Sequence, residues 1–199
     1  MSKLNTKRWI GWHFLPADGY TRHSHEKVRV GGLGRVEPPL TLCVHGLHAS
    51  RDVLDALCYA PGPIACMVEL RGVILESHDK ACATERRCLA KVDATTILHE
   101  FACWCTERVL WAERKAGREP DPRSWAVVRM KREWLAGRAT DRQLAAAGAA
   151  AGAAAWTAAG AAAETAGAAA WTALSRKLTK TLLAAMNCTA DGTRRKPKP

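Results

Sequence analysis

The sequence predicts an α+β fold in which a small β-rich head is followed by helices and a long alanine-rich C-terminal helix. Two observations lead to this prediction. Short aromatic and aliphatic runs separated by Gly and Pro fill the first half of the chain, which is typical of strands and turns. Near residue 140 the composition changes, and residues 145–173 are almost all Ala with Gly, which favours helix. We therefore expect four segments: a β-rich head (1–92), a helical segment (93–139), an Ala/Gly/Trp-rich helix (140–187) and a basic disordered tail (188–199).

Short apolar runs predict the strands of the head. They are residues 9–15, 28–30, 40–44, 64–70 and 73–75, and they contain the aromatic and aliphatic residues that fit a half-buried strand. The last two runs are separated by an Arg-Gly step. We therefore expect a strand, a glycine break and a second strand there.

Residues 43–63 read CVHGLHASRDVLDALCYAPGP. Ser50 or Asp52 can cap a short helix, and Pro61-Gly62 ends it. The inner face of this helix would consist of Val53, Leu54 and Leu57. The simplest prediction for the stretch is strand, glycine turn, helix, turn, strand.

Two longer helices are predicted in the middle of the chain. Asp93 can cap a helix that runs to about Ala116, and Gly117 with the prolines at 120 and 122 stops it. A second helix is expected at residues 124–136. It interleaves cations with aromatic rings, and four of its residues are candidates for binding nucleic acid: Arg129, Lys131, Arg132 and Trp134.

The net charge of the chain also favours nucleic acid as a partner. Thirty Lys and Arg against 19 Asp and Glu give a formal net charge of +11, which favours a polyanion or an acidic protein. In single-stranded nucleic acid the bases stack on aromatic rings and the phosphates meet cations. A solvated basic face with its Trp anchored in the core produces the same pattern, so both interpretations stay open.

The alanine-rich helix repeats the motif Ala-Ala-Ala-Trp-Thr-Ala, which brings Trp156 and Trp171 to one broad face. Gly148 and Gly152 lie four residues apart, and their missing side chains would admit a neighbouring backbone. We expect close packing against another helix, from a second copy of the chain or from the 93–116 segment. The alternative is that the Trp side chains fold back on the head. No Leu, Ile, Phe or Val occurs at residues 145–173, so no membrane span is predicted.

The motifs GLHAS, DAL, YAPGP and VELRG, joined to the Ala/Trp tail, resemble a group of uncharacterised bacteriophage proteins. The resemblance covers most of the chain and implies no particular chemistry. With the basic charge, it leads to the first functional hypothesis: a non-catalytic phage-type accessory protein. Such a protein would bind nucleic acid or an acidic host partner and form a homo-oligomer through its alanine-rich helix.

The cysteines and the N-terminal residues predict where in the cell the protein is located. Met1 is followed by polar and basic residues without an apolar signal segment. We therefore expect reduced cysteines and a cytoplasmic protein, in the host cytoplasm if the chain is phage-encoded. None of the eight cysteines forms a C-x2-C pair, the spacing typical of structural zinc, so no metal site is predicted.

The order of elements in the head is similar to that of the poly(ADP-ribose) polymerase-type ADP-ribosyltransferases. GWHF matches their aromatic strand with Trp-His, and GLHASRDVLDALCYA matches their glycine-led strand and helix. The resemblance places His13 at the ribose-binding histidine, His48 at the first Tyr and Tyr59 at the nicotinamide-stacking Tyr. It implies NAD as a possible cofactor, with the protein an NAD-dependent ADP-ribosyltransferase or a degenerate relative.

The chain departs from this family at three points. His48 replaces a Tyr, Ala56 stands where the family often has a hydroxyl residue, and the catalytic Glu has no clear match. Its candidates are Glu69, Glu76 and Glu100. A carboxylate is needed because the ribosyl cation must be stabilised as nicotinamide leaves. The alternative is that the Trp-His pair and Tyr59 only build the core of the head.

A third hypothesis is hydrolytic chemistry. Cys43 with His45, or Ser50 with His48, can be drawn as a nucleophile and its base. Two residues that lie two positions apart on a strand share a face. No nucleophile-elbow or papain-like signature accompanies either pair.

Overall fold

A computed structural model describes residues 8–22, 24–149 and 168–193. The chain divides into two compact units. The first, called the head unit here, comprises Met1–Thr95 and Ser175–Pro199, and the second, called the helical unit, comprises Thr96–Leu174. The head unit contains an antiparallel sheet, and the described part of the helical unit is built from helices. The fold is therefore α+β, as the sequence predicts.

The sheet of the head unit has five strands. They are β1 (Trp9–Leu15), β2 (Leu33–Arg35), β3 (Leu47–Ala49), β4 (Ile64–Glu76) and β5 (Ala81–Asp93). β4 lies between β1 and β5, and the two short strands β2 and β3 both pair with β5. All of these pairs are antiparallel, so β4 and β5 form a long hairpin at the centre of the unit.

Two predicted strands are wrong. Residues 28–30 are irregular, because the Val28 carbonyl accepts a hydrogen bond from Lys91 Nζ (2.7 Å) instead of a strand neighbour. Residues 40–44 enter a turn in which the N–H groups of Val44 and His45 both donate to the Thr41 carbonyl. Cys43 has φ of 66° in this turn, a left-handed conformation that a strand does not contain.

The predicted break between residues 70 and 73 is also wrong, because β4 runs through it as one strand. The pairing with β5 shifts register between Arg71 and Ile74, which is a β-bulge. Gly72 sits in the bulge with φ of 72°, and a Cβ there would clash with Thr84 Oγ1. β5 itself was not predicted, because charged residues interrupt its apolar pattern.

The predicted short helix is present as α1 (Val53–Cys58). Of the two candidate caps, Asp52 is the one used, since its Oδ1 accepts from the Leu54 N–H at 2.8 Å. The backbone of Ser50 instead pairs with Trp12, with N···O distances of 2.7 and 3.0 Å. Local sequence signals are sufficient for α1 because the cap lies within two residues of the group it satisfies.

The sheet buries apolar side chains on both faces. One face contributes to a core cluster that includes Trp9, Leu15, Cys66, Val68 and Leu70. Alternation along β1 places His13 on that same face and places Trp12 and Phe14, both buried, on the other.

The helical unit contains the two predicted helices, α2 (Thr95–Lys115) and α3 (Pro122–Leu135). The Oδ1 atom of Asp93 accepts from the Thr95 N–H at 2.9 Å, as a capping residue does. α3 begins earlier than predicted, because Asp121 caps it by accepting from the Arg123 N–H at 2.8 Å. Cys103, Leu110 and Val128 form the buried cluster between these helices, with Trp125 and Val127 packed against it.

The predicted helix at 140–187 is described at its two ends. Residues 141–149 are helical (α4), and α5 spans Ala168–Ala185. The residues between them lie outside the described part of the chain. None of the described helices is both long and apolar enough to cross a membrane.

The C-terminal segment from Ser175 belongs to the head unit. Leu178 and Leu182 of α5 are fully buried, and so is Cys188. Residues 189–193 form a hydrogen-bonded turn in which the Thr189 N–H donates to the Thr193 carbonyl. Order therefore extends past residue 188, where the sequence predicts a disordered tail, because Cys188 is buried as a small apolar side chain.

Candidate functional site

The three residues predicted to bind NAD line one cleft. His13 comes from β1, His48 from β3, and Tyr59 is the C-cap of α1. All three line a cavity of about 470 Å³ in the head unit. Residues that are far apart in the sequence are therefore brought to one place by the pairing of β1 with β4 and of β3 with β5.

The turn before β3 fixes the position of His48. Gly46 has φ of 139°, and a Cβ at this residue would come within 2.8 Å of the Cys82 Cβ. Only glycine fits such a close approach in this conformation. The glycine of the Gly-Leu-His motif thus allows β3 to begin in close contact with β5.

Tyr59 lies at the mouth of the cleft with 51 % of its surface exposed. Its hydroxyl donates to Asp79 Oδ2 and accepts from Lys80 Nζ, the latter at 2.9 Å. The hydrogen bond from Tyr59 lowers the pKa of Asp79, so this carboxylate is ionised at neutral pH. Lys80 Nζ also lies 4.2 Å from the centroid of the Tyr59 ring. A ligand ring therefore has only the opposite face of Tyr59 on which to stack.

His13 stays neutral in the folded protein. Burial lowers its pKa well below the ordinary value, and the charge of Arg86 lowers it further. A neutral imidazole offers one donor and one acceptor nitrogen. His13 can therefore hydrogen-bond to a hydroxyl group in the cleft.

The depressed pKa of His13 predicts a pH-dependent stability. Its imidazole takes up a proton near pH 6.5 when the chain is unfolded but resists protonation when folded. The folded state is therefore not penalised by His13 above about pH 6.5, and its stability relative to the unfolded chain decreases as the pH falls below that value. His13→Gln should therefore show a smaller fall in melting temperature between about pH 7 and pH 5 than the unmodified chain. His78→Gln, whose side chain is 90 % exposed, is the control for the loss of an exposed histidine. Equal slopes for His13→Gln and the unmodified chain would contradict the prediction.

His48 makes two polar contacts that hold the cleft wall together. Its Nε2 accepts from the Cys43 N–H at 2.9 Å, and its carbonyl accepts from Arg86 Nη1 at 2.7 Å. The first contact requires Nε2 to be unprotonated. His48 thus bonds to the turn that precedes β3.

A second cavity of about 230 Å³ adjoins the cleft. The two cavities share six lining residues, which are His13, Thr21, Ser24, Val36, Leu47 and Arg86. Sequence reasoning missed Arg86, because it lies on the unpredicted strand β5. The signal that could have found it is the alternation of Cys82, Thr84, Arg86 and Cys88 along one face of that strand.

None of the three candidate catalytic glutamates is among the described residues that line the cleft. Glu69 is 3 % exposed and forms ion pairs with two arginines, Arg8 at 2.6 Å and Arg71 at 2.8 Å. Glu76 accepts hydrogen bonds from Trp9 Nε1 and Arg51. Glu100 belongs to the helical unit.

Two of the residues predicted to bind nucleic acid, Arg132 and Trp134, contact neighbouring helices of the helical unit. Arg132 forms ion pairs with Glu107 (2.8 Å) and Glu100 (3.4 Å). Trp134 Nε1 donates to Asp141 at 2.6 Å, and Lys131 Nζ lies 3.8 Å from the centroid of the Trp134 ring. Arg129 is exposed. A nucleic-acid interface on α3 stays a prediction.

Two of the four residues predicted for helix packing lie in the described part of the tail. A Cβ on Gly148 would meet no described atom within 4 Å, and Trp171 is 43 % exposed. Gly152 and Trp156 lie outside the described residues. Assembly through this helix stays a prediction.

The two pairs drawn for hydrolysis have other contacts. His48 Nε2 is bonded to the backbone of Cys43, and His45 Nε2 lies 2.7 Å from the Glu37 carbonyl oxygen. Ser50 is buried in its pairing with Trp12. Among the described residues, no group of three His, Cys, Asp or Glu is placed to hold a metal ion.

Comparison of the chain with protein-family models, with curated proteins and with solved structures found no match.

Proposed function

We propose that the head unit binds NAD in the cleft lined by His13, His48 and Tyr59, as a relative of the ADP-ribosyltransferases that it resembles in sequence. The observation that carries this proposal is the convergence of these three residues on one cavity. The sequence motifs predicted them separately, on a strand, a second strand and a helix end.

The size and lining of the cleft suit a nucleotide. A volume of about 470 Å³ lies in the range of about 300–1,000 Å³ that is usual for small-molecule sites. Trp12, Phe14 and Leu15 contribute apolar walls, and cations come from Arg22, Lys80 and Arg86. The described lining contains no Asp or Glu, so a ligand with two phosphate charges meets only cationic and neutral groups.

Tyr59 and His13 would each make a different contact with NAD. The free face of the Tyr59 ring is available for stacking with the nicotinamide. Neutral His13, on β1, offers a hydrogen bond to a ribose hydroxyl. These are the parts that the family resemblance implies for the same positions.

The proposal is NAD binding and does not extend to transfer of the ADP-ribosyl group. Transfer requires a carboxylate to stabilise the cation that forms on the ribose. The described lining of the cleft contains no carboxylate, and nearby Asp79 is bonded to the Tyr59 hydroxyl. We therefore expect a degenerate relative of the family, which binds NAD but does not transfer the ADP-ribosyl group.

Thermal unfolding of the full chain with and without NAD tests the proposal. At a hundred times the dissociation constant, NAD should stabilise the protein by about 2.7 kcal/mol. Tyr59→Ala should lose most of this shift, because it removes the stacking surface from an exposed position where folding is little affected. Tyr59→Phe keeps the ring and is the matched control, expected to retain binding. The absence of a shift at millimolar NAD, or an equal shift in Tyr59→Ala, would overturn the proposal.

A further inference from the structure

Arg86 is a cation placed in the middle of the sheet. It lies on β5 between Leu70 of β4 and Gly34 of β2, its Cα partners in the two neighbouring strands. Burial lowers its pKa to about 10, although the nearby thiols of Cys66 and Cys88 act in the opposite direction. The guanidinium nevertheless remains charged at neutral pH.

No carboxylate neutralises this charge in the described part of the chain. Four other arginines of the head unit, Arg8, Arg35, Arg51 and Arg71, each form an ion pair with a glutamate. Arg22, Arg29 and Arg87 form no ion pair with a described residue, but they are exposed to solvent. Arg86 forms no ion pair with any described residue, and its Nη1 donates to a neutral acceptor, the His48 carbonyl. Arg86 is half-buried, and a partly desolvated cation without a counter-charge is costly to the fold. Such a group is a candidate partner for an anion from outside.

The two cavities meet at Arg86. The guanidinium lines both, together with His13 on the same face of the sheet. The smaller cavity is also lined by Lys27, Arg29 and Arg35, with Glu26 as its only described carboxylate. An anion at Arg86 would therefore be in contact with both cavities.

We propose that Arg86 binds the pyrophosphate of a dinucleotide whose two ends occupy the two cavities. The planar guanidinium fork matches two phosphate oxygens at once. A pyrophosphate is favoured over a single anion because it joins two bulky groups, and Arg86 lines two cavities. This inference deepens the proposed function and rests on it for the end that stacks on Tyr59.

The test measures the binding of inorganic pyrophosphate, ADP and NAD to the full chain by titration calorimetry at about 0.15 M salt, which screens unspecific attraction to a basic protein. Adenosine and nicotinamide are the ligands without phosphate. Arg86→Met should weaken the binding of all three phosphate ligands by about tenfold or more, because it removes a charge-assisted hydrogen bond. Arg87→Met is the matched control: Arg87 is the next residue of β5, exposed on the opposite face, and should bind like the unmodified chain.

A second readout separates binding from a structural role. Without ligand, Arg86→Met should melt close to the temperature of the unmodified chain, because removal of a half-buried charge offsets the loss of the hydrogen bond to the His48 carbonyl. A clearly lower melting temperature together with unchanged pyrophosphate binding would show a purely structural role, which overturns the proposal. Arg86→Lys keeps the positive charge but loses the forked guanidinium geometry. It is the variant to measure if Arg86→Met does not fold. Weaker pyrophosphate binding by Arg86→Lys supports the proposal, and unchanged binding overturns it.

The two proposals fail in different ways. If pyrophosphate binding depends on Arg86 but NAD does not bind, the NAD proposal is wrong and the anion site stands. If NAD binding depends on Tyr59 but is unchanged in Arg86→Met, the anion site is wrong and the NAD proposal stands.

Discussion

Replacing Leu182 by Ala should lower the free energy of unfolding of the head unit by about 2–5 kcal/mol. Leu182 is fully buried in the part of α5 that belongs to this unit. Truncation removes apolar contacts and leaves a cavity that the surroundings fill only in part. Urea unfolding of the full chain, followed by tryptophan fluorescence, measures the change.

Lys180→Ala is the control for this substitution. Lys180 is exposed on the same helix, and its truncation should change stability by no more than about 0.5 kcal/mol. Similar small effects for both variants would mean that α5 is not part of the core of the head unit. A large effect confined to Leu182→Ala would show that the head depends on a segment from the far end of the chain.

Replacing Asp52 by Ala should destabilise the head unit by about 1–3 kcal/mol. One carboxylate oxygen caps α1 by accepting from the Leu54 N–H, and the other accepts from the buried Ser175 hydroxyl at 2.6 Å. The substitution removes both interactions and leaves the Ser175 hydroxyl without this acceptor. Thermal and urea unfolding of the full chain measure the loss.

A double-mutant cycle separates the two roles of Asp52. Ser175→Ala removes only the contact with α5 and should cost about 1 kcal/mol. The double variant should then be more stable than the sum of the single losses predicts, because the shared hydrogen bond is counted only once. Asp52→Asn should keep most of the cap, since Asn caps helices about as well as Asp. Strict additivity in the cycle would contradict the contact between Asp52 and Ser175.

Elements with complete local signals were predicted well. The bounds of β1 match the aromatic run at residues 9–15, and α1 follows Asp52, one of its two predicted caps. α2 follows Asp93 in the same way. In each case the decisive group lies within a few residues of the backbone that it satisfies, so neighbouring sequence is sufficient.

The candidate site was predicted only in part. His13, His48 and Tyr59 were identified by motif and spacing, and the structure places them on one cleft. Arg86 was missed because its position depends on a strand whose charged residues hide the apolar alternation. That strand forms because β4 provides a long partner whose backbone groups must be paired.

By itself, the sequence determined the α+β class, the first strand and the helices α1 and α2 with their caps. The tertiary structure alone decided that residues 41–45 turn instead of extending, that Gly72 makes a bulge inside one strand, and that the segment from Ser175 returns to the head unit. It also decided that Arg86 lines two cavities and forms no ion pair with a carboxylate among the described residues. The reason is physical: hydrogen bonds to the next few residues depend on local sequence, whereas apolar burial is non-directional. Which distant segments pair and pack is therefore decided only by the assembled fold.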